Sequence, residues 1–92
     1  MFGLVVEVAI DEGRTEAAQQ MLTDMVVPTA KAMPGFVNGY WFQSDDGRRG
    51  TTFMLFESED AARSTIATAP RPPDGAGVAI TRFEAMRIVA QA

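Results

Sequence analysis

The chain opens on a run of aliphatic and β-branched residues, Leu4, Val5, Val6, Val8 and Ile10, broken only by Glu7. A stretch from Phe2 to Ile10 with this composition predicts a strand, and Asp11-Glu12-Gly13 ends it. From Arg14 to Met33 the spacing becomes helical. Ala18, Leu22, Met25 (with Val26), Thr29 and Met33 share one face, and Arg14, Glu16, Gln20, Asp24 and Lys31 lie largely elsewhere. Pro28 interrupts this run. It lacks a backbone N–H and crowds the carbonyl of Asp24, so a kink or break is expected there. Pro34-Gly35 stops the helix.

Phe36 to Gln43 reads as a second strand, rich in aromatic residues. The Asp45 to Gly50 cluster is a turn, and Asp46-Gly47 within it is a strong hairpin signal. Thr51 to Glu57 returns as the partner strand. Ser58 is placed to cap a short helix, with Glu59 and Asp60 in its first turn, where the helix dipole favours negative charge. Ala61, Ala62, Ile66 and Ala69 suit that helix, which ends near Thr68. Pro70 to Gly77 is a stiff loop, and Val78 to Val89 is the last strand.

The order β-α-β-β-α-β predicts an α+β, ferredoxin-like fold: a four-stranded antiparallel sheet with both helices on one face. All of residues 1–92 are expected to form one domain. Splitting each strand by its two-residue period leaves both sheet faces largely apolar. Two helices cover only one of them. A monomer exposing Val5, Val37, Trp41, Met54, Phe56, Phe83 and Val89 would present an unusually large apolar patch. The expected cover is a second copy, giving a homodimer through sheet faces.

Composition narrows the chemistry. Cysteine and histidine are both absent, which removes thiolate nucleophiles, the commonest general base and the usual zinc and haem ligands. A net charge of −4 is a poor footprint for a nucleic-acid backbone. The opening run is too short to span a membrane and has no basic start, so it reads as a strand rather than a signal peptide, and a cytoplasmic location is expected. The acidic pairs Asp11/Glu12 and Asp45/Asp46 lack calcium-loop spacing; no metal and no cofactor are expected.

Met33-Pro34-Gly35-Phe36 at the helix stop and Phe56-Glu57-Ser58-Glu59-Asp60-Ala61-Ala62 at the second helix start resemble the antibiotic biosynthesis monooxygenase-like superfamily of dimeric α+β barrels. The resemblance covers nearly the whole chain. It implies cofactor-independent monooxygenase chemistry on a small quinol- or phenol-like aromatic compound, or a non-catalytic dimeric binding or structural protein of the same fold. The tryptophan common before the Glu-Ser step is here Phe56, and the histidine on which haem-degrading relatives rely is missing.

Asn38, Tyr40 and Arg82 are the candidate catalytic residues. If strand parity holds they face the helices, where amide, phenol and guanidinium can polarise a phenolic substrate so that its anion reacts with oxygen. Their structural reading is a strand-edge turn for Asn38, core packing for Tyr40 and an ion pair for Arg82. Trp41, on the opposite face, is expected to anchor the dimer. Glu7 is expected to pair with Arg82 or Arg87. Met21, Met25, Met33, Met54 and Met86 are expected to fill gaps in the core.

Overall fold

The computed structural model describes residues 1–92. Strands β1 (Phe2–Ile10), β2 (Phe36–Gln43), β3 (Arg49–Phe56) and β4 (Val78–Arg87) form one sheet in the order β2-β3-β1-β4. Every neighbouring pair is antiparallel. Helix α1 (Thr15–Met21) runs through a π-helical turn (Leu22–Val26) into α2 (Val27–Lys31), and α3 (Glu59–Thr68) follows the hairpin. This is the expected ferredoxin-like arrangement. No helix is long and apolar enough to cross a membrane.

The helical run stays helical through Pro28 but changes its hydrogen bonding one turn earlier. Val27 donates to the carbonyl of Leu22, five residues back, which leaves Pro28 in the first turn of α2, where its missing donor costs nothing. A π turn inserts one extra residue, so the buried face advances by one position beyond it. Ala30 is buried instead of Thr29, and Met25 stands 62% exposed. Met86 is also exposed, so of the expected gap-filling methionines only Met54 is buried, with Met21 and Met33 half-buried.

Leu4, Ala30, Met54, Phe56 and Ala62 form the core between sheet and helices, with Phe36 edge-on to Phe56 at 5.9 Å. Ser58 caps α3 as expected, accepting a hydrogen bond from the Ala61 N–H at 3.1 Å. Gly35 turns the chain from α2 into β2 with φ +79, and an added Cβ would lie 2.6 Å from that of Ala61. Only glycine meets both conditions. At the hairpin tip, Thr15 donates to the Gly47 carbonyl at 3.0 Å and fastens the start of α1 to the β2–β3 turn.

Two bulges decide which side chains meet the helices. In β2 the register shifts between Phe36, opposite Phe56, and Asn38, opposite Leu55, leaving Val37 as the extra residue. In β4 it shifts between Ile80, opposite Val8, and Arg82, opposite Glu7, leaving Thr81, whose hydroxyl donates to the Glu7 carbonyl at 3.1 Å. Each extra residue exchanges the faces of everything beyond it.

Candidate functional site

Residues directly opposite in an antiparallel ladder share a face, so the registers fix both sides of the sheet. Leu4, Met54 and Phe56 mark the helix-covered side, since all three are buried. Asn38 pairs with Leu55, Tyr40 with Phe53, and Arg82 with Glu7. All three candidate residues therefore lie on the open face, away from the helices, which corrects the expected parity. The bulges at Val37 and Thr81 are the cause. Nor do the three converge within one chain. Asn38 and Tyr40 are on β2 and Arg82 on β4, at opposite edges and roughly 14 Å apart across three strand spacings.

Arg82 belongs instead to an ionic cluster. Its guanidinium meets Glu84 at 2.8 Å and Glu7 at 3.4 Å, the pairing with Glu7 foreseen from sequence. These hydrogen bonds, Glu84's foremost, hold its pKa above the ordinary arginine value. Around the cluster the open face is apolar. Tyr40, Phe42, Phe53 and Met86 are 63%, 55%, 47% and 41% exposed, and Phe42 stands edge-on to Phe53 at 5.8 Å.

The helix side holds Trp41 and Phe83, which strand parity places on the other face. Trp41 pairs with Thr52, Thr52 with Val6, and Val6 with Phe83. These four make one row across the whole sheet, and all are half-buried. The indole of Trp41 lies over Gly39, where a Cβ would come within 3.1 Å of the ring and of the Met54 side chain. Glycine thus makes room for the tryptophan. Neither Trp41 nor Thr52 spends its polar tip on a side-chain hydrogen bond, and no buried side-chain polar atom lacks a partner, so both tips reach accessible space.

The helical layer over this side is loosely seated between its ends. No residue of Thr15–Met21 or Leu22–Val26 is buried, although Ala18, Met21, Leu22, Met25 and Val26 are apolar. The run is held at its ends. Thr15 on the hairpin and a 2.6 Å hydrogen bond from Gln19 to Gln43 fix its start, and Ala30 in the core fixes its finish. The result is a half-buried apolar row at the edge of the core, with a hydroxyl and an indole N–H free of side-chain hydrogen bonds along it. It suits a flat, weakly polar molecule. The row was legible in the sequence only as apolar strand positions, because register is not written in a strand whose two faces are equally greasy.

The Pro70–Gly77 loop borders a second recess, of about 350 Å³, beside the start of β4, lined by Asp11, Arg71 and Asp74 among others. No group of three carboxylates converges anywhere in the chain to hold a metal ion.

The profile of one protein family, antibiotic biosynthesis monooxygenase, matches residues 1–64, from β1 into α3. No curated protein matches the chain. Among solved structures, the heme-degrader MhuD of Mycobacterium tuberculosis, solved with two hemes bound in its active site, superposes with a TM-score of 0.74 at 12% identity, over 100% of this chain and 99% of that one. The monooxygenase ActVA-Orf6 of Streptomyces coelicolor, solved with nanaomycin D, gives 0.67 at 21% identity, over 99% and 89%. A Nitrosomonas europaea chain carrying the family's name gives 0.61 at 24%, over 75% and 73%. At these identities the likeness is one of fold, and it agrees with the strand order and helix placement above. With the profile spanning well over half its length, the chain belongs to the antibiotic biosynthesis monooxygenase family.

Proposed function

We propose that this protein is a cofactor-independent monooxygenase that oxidises a small quinol- or phenol-like aromatic compound on the helix side of the sheet and works as a homodimer. The supporting observation is the half-buried row Trp41–Thr52–Val6–Phe83, with two donors free of side-chain hydrogen bonds, together with a helical run in which no residue from 15 to 26 is fully buried.

The chemistry needs no reductant beyond its substrate. With an anthrone, loss of a ring proton gives an electron-rich anion that reduces oxygen. The CH2 carbon becomes C=O with one oxygen atom, and the other leaves as water. The protein's part is to seat the ring, favour the anion and keep bulk water away. The Thr52 hydroxyl and the Trp41 N–H are fixed donors for the developing oxyanion, a task that neutral donors perform well in a low-dielectric site. Asn38, Tyr40 and Arg82 serve the pairing of subunits in this reading.

Pairing through the open faces is supported by charge as well as by exposed aromatic area. Arg49, Glu7, Arg82 and Glu84 share that face, two cations against two anions. A chain of net charge −4 thus has one neutral, apolar side on which two copies can meet without repulsion.

A non-catalytic dimer that only binds such a ligand is the second reading. It is favoured by the absence of any titratable side chain within the row itself. Oxygen uptake with a panel of anthrones and quinols separates the two. The monooxygenase reading expects turnover that falls about a hundredfold in Thr52→Val. Ligand binding without oxygen uptake across the panel establishes the second reading instead.

A further inference from the structure

Asn38 is the chain's single asparagine, and glycine follows it. Its carboxamide is exposed and enters no hydrogen bond with another side chain or the backbone. The backbone beside it is also free. β2 is an edge strand. Ser44 donates its N–H to the Arg49 carbonyl at 2.9 Å, which makes these two a hydrogen-bonded pair at the hairpin end of the ladder. Such pairs alternate along antiparallel strands. Phe42, Tyr40 and Asn38 therefore turn their N–H groups toward β3, and Gln43, Trp41 and Gly39 turn theirs off the sheet edge. Packing also keeps residue 39 without a side chain to shield that nitrogen. A Cβ there would stand 3.1 Å from both the Trp41 ring and the Met54 side chain.

We infer that Asn38–Gly39 is a site of spontaneous covalent modification, at which the asparagine amide is lost and a carboxylate takes its place on the open face. The Gly39 nitrogen, once deprotonated, attacks the side-chain carbonyl carbon of Asn38. A C–N bond forms, the bond to the amide nitrogen breaks, and that nitrogen leaves as ammonia. Water then opens the five-membered imide. Opening at the side-chain carbonyl gives aspartate; opening at the backbone carbonyl gives isoaspartate, which adds one carbon to the backbone of β2. Water is the only co-reactant, and nothing is oxidised or reduced.

Ring closure needs rotation about the Cα–C bond of Asn38, which its pairing with Leu55 opposes. A strand held from one side only, with a bulge at Val37 just before the site, opens locally more easily than an inner strand. The fold therefore slows the step without stopping it. In the proposed dimer Asn38 faces the partner, so the step belongs to the separated subunit. The new charge, on a chain already at −4, then opposes pairing. That consequence rests on pairing through the open faces; the modification does not.

The test is incubation in mildly alkaline buffer at body temperature, folded at high dilution and unfolded in urea, read by intact mass and by enzymatic methylation of isoaspartate. The unfolded chain should gain one dalton as NH2 becomes OH. The folded chain should gain it about tenfold more slowly, and Asn38→Gln should gain nothing. Conversion confined to the urea sample, or a gain that persists in Asn38→Gln, overturns the site. The converted chain and Asn38→Asp should each dimerise roughly tenfold more weakly in sedimentation. Unchanged association overturns the effect on pairing and leaves the modification standing. An unmodified chain that sediments as single subunits at micromolar concentration overturns the pairing reading instead.

Discussion

The two faces of the sheet are alike in hydrophobicity and opposite in use. On the helix side, Leu4 and Phe56 are fully buried and their neighbours pack around them. On the open side, Tyr40, Phe42 and Phe53 stand about half exposed, and the same face carries an ionic cluster in which Arg82 meets both Glu7 and Glu84. One face holds the fold together, and the other is left for something outside the chain. The charges make the distinction. No charged side chain lies within the helix-side row, whereas Glu7, Arg82 and Glu84 sit where solvent or a partner's polar groups can still meet them.

The largest test of that contrast compares one phenylalanine from each face. Phe56→Ala removes a fully buried ring and should cost about 3–5 kcal/mol of unfolding free energy, a large part of what a domain this size has to spare. Phe53→Ala, from a site 47% exposed in the single chain, should cost far less once subunits are apart. Urea denaturation at dilution checks both, with Phe56→Leu in reserve should the alanine variant not fold. Next in size is Phe53→Asp. In the proposed dimer it buries an unpaired carboxylate at the centre of the interface, which should weaken association by about 2–4 kcal/mol. Sedimentation at micromolar concentration should then show single subunits. Trp41→Phe, on the opposite face, should leave sedimentation unchanged. A dimer indifferent to Phe53→Asp but broken by Trp41→Phe would reverse the assignment of the faces.

That reversal is the error the sequence invites. Element boundaries were legible because punctuation sets them: Asp11-Glu12-Gly13 after β1, Pro34-Gly35 before β2, Asp46-Gly47 in the hairpin, Ser58 before α3. The faces were not. Alternation assigns a side only relative to its neighbours, and in a chain with two apolar faces nothing anchors the phase. Bulges at Val37 and Thr81 then invert it partway along β2 and β4, and the π turn does the same to α2, moving burial from Thr29 to Ala30. One inserted residue in each element carried Trp41 and Phe83 inward and Asn38, Tyr40 and Arg82 outward. A pairing of Glu7 with Arg82 or Arg87 was foreseen regardless, and Arg82 is the one that forms it, because a lone acid in an apolar strand needs a cation whichever way it points.

The smallest effect belongs to neither face and sharpens the comparison by subtraction. Asp46, at the hairpin tip, accepts hydrogen bonds from the Ser44 hydroxyl at 2.7 Å and the Arg48 N–H at 2.9 Å. Those two contacts, the Ser44 hydroxyl first, pull its pKa below the ordinary 3.8. A depressed carboxylate stabilises the folded state fully above its unfolded value, and that contribution is lost as pH falls through the folded one. Asp46→Asn should therefore be slightly less stable than wild type at neutral pH, and the two urea midpoints should converge as the pH drops below 3.8. Arg82 behaves oppositely. Its pKa is raised, so its contribution is complete at every pH below the unfolded arginine value and cannot account for a loss of stability in acid. Midpoints that stay separated down to about pH 2.5 would show that the Asp46 contacts do not act through its charge.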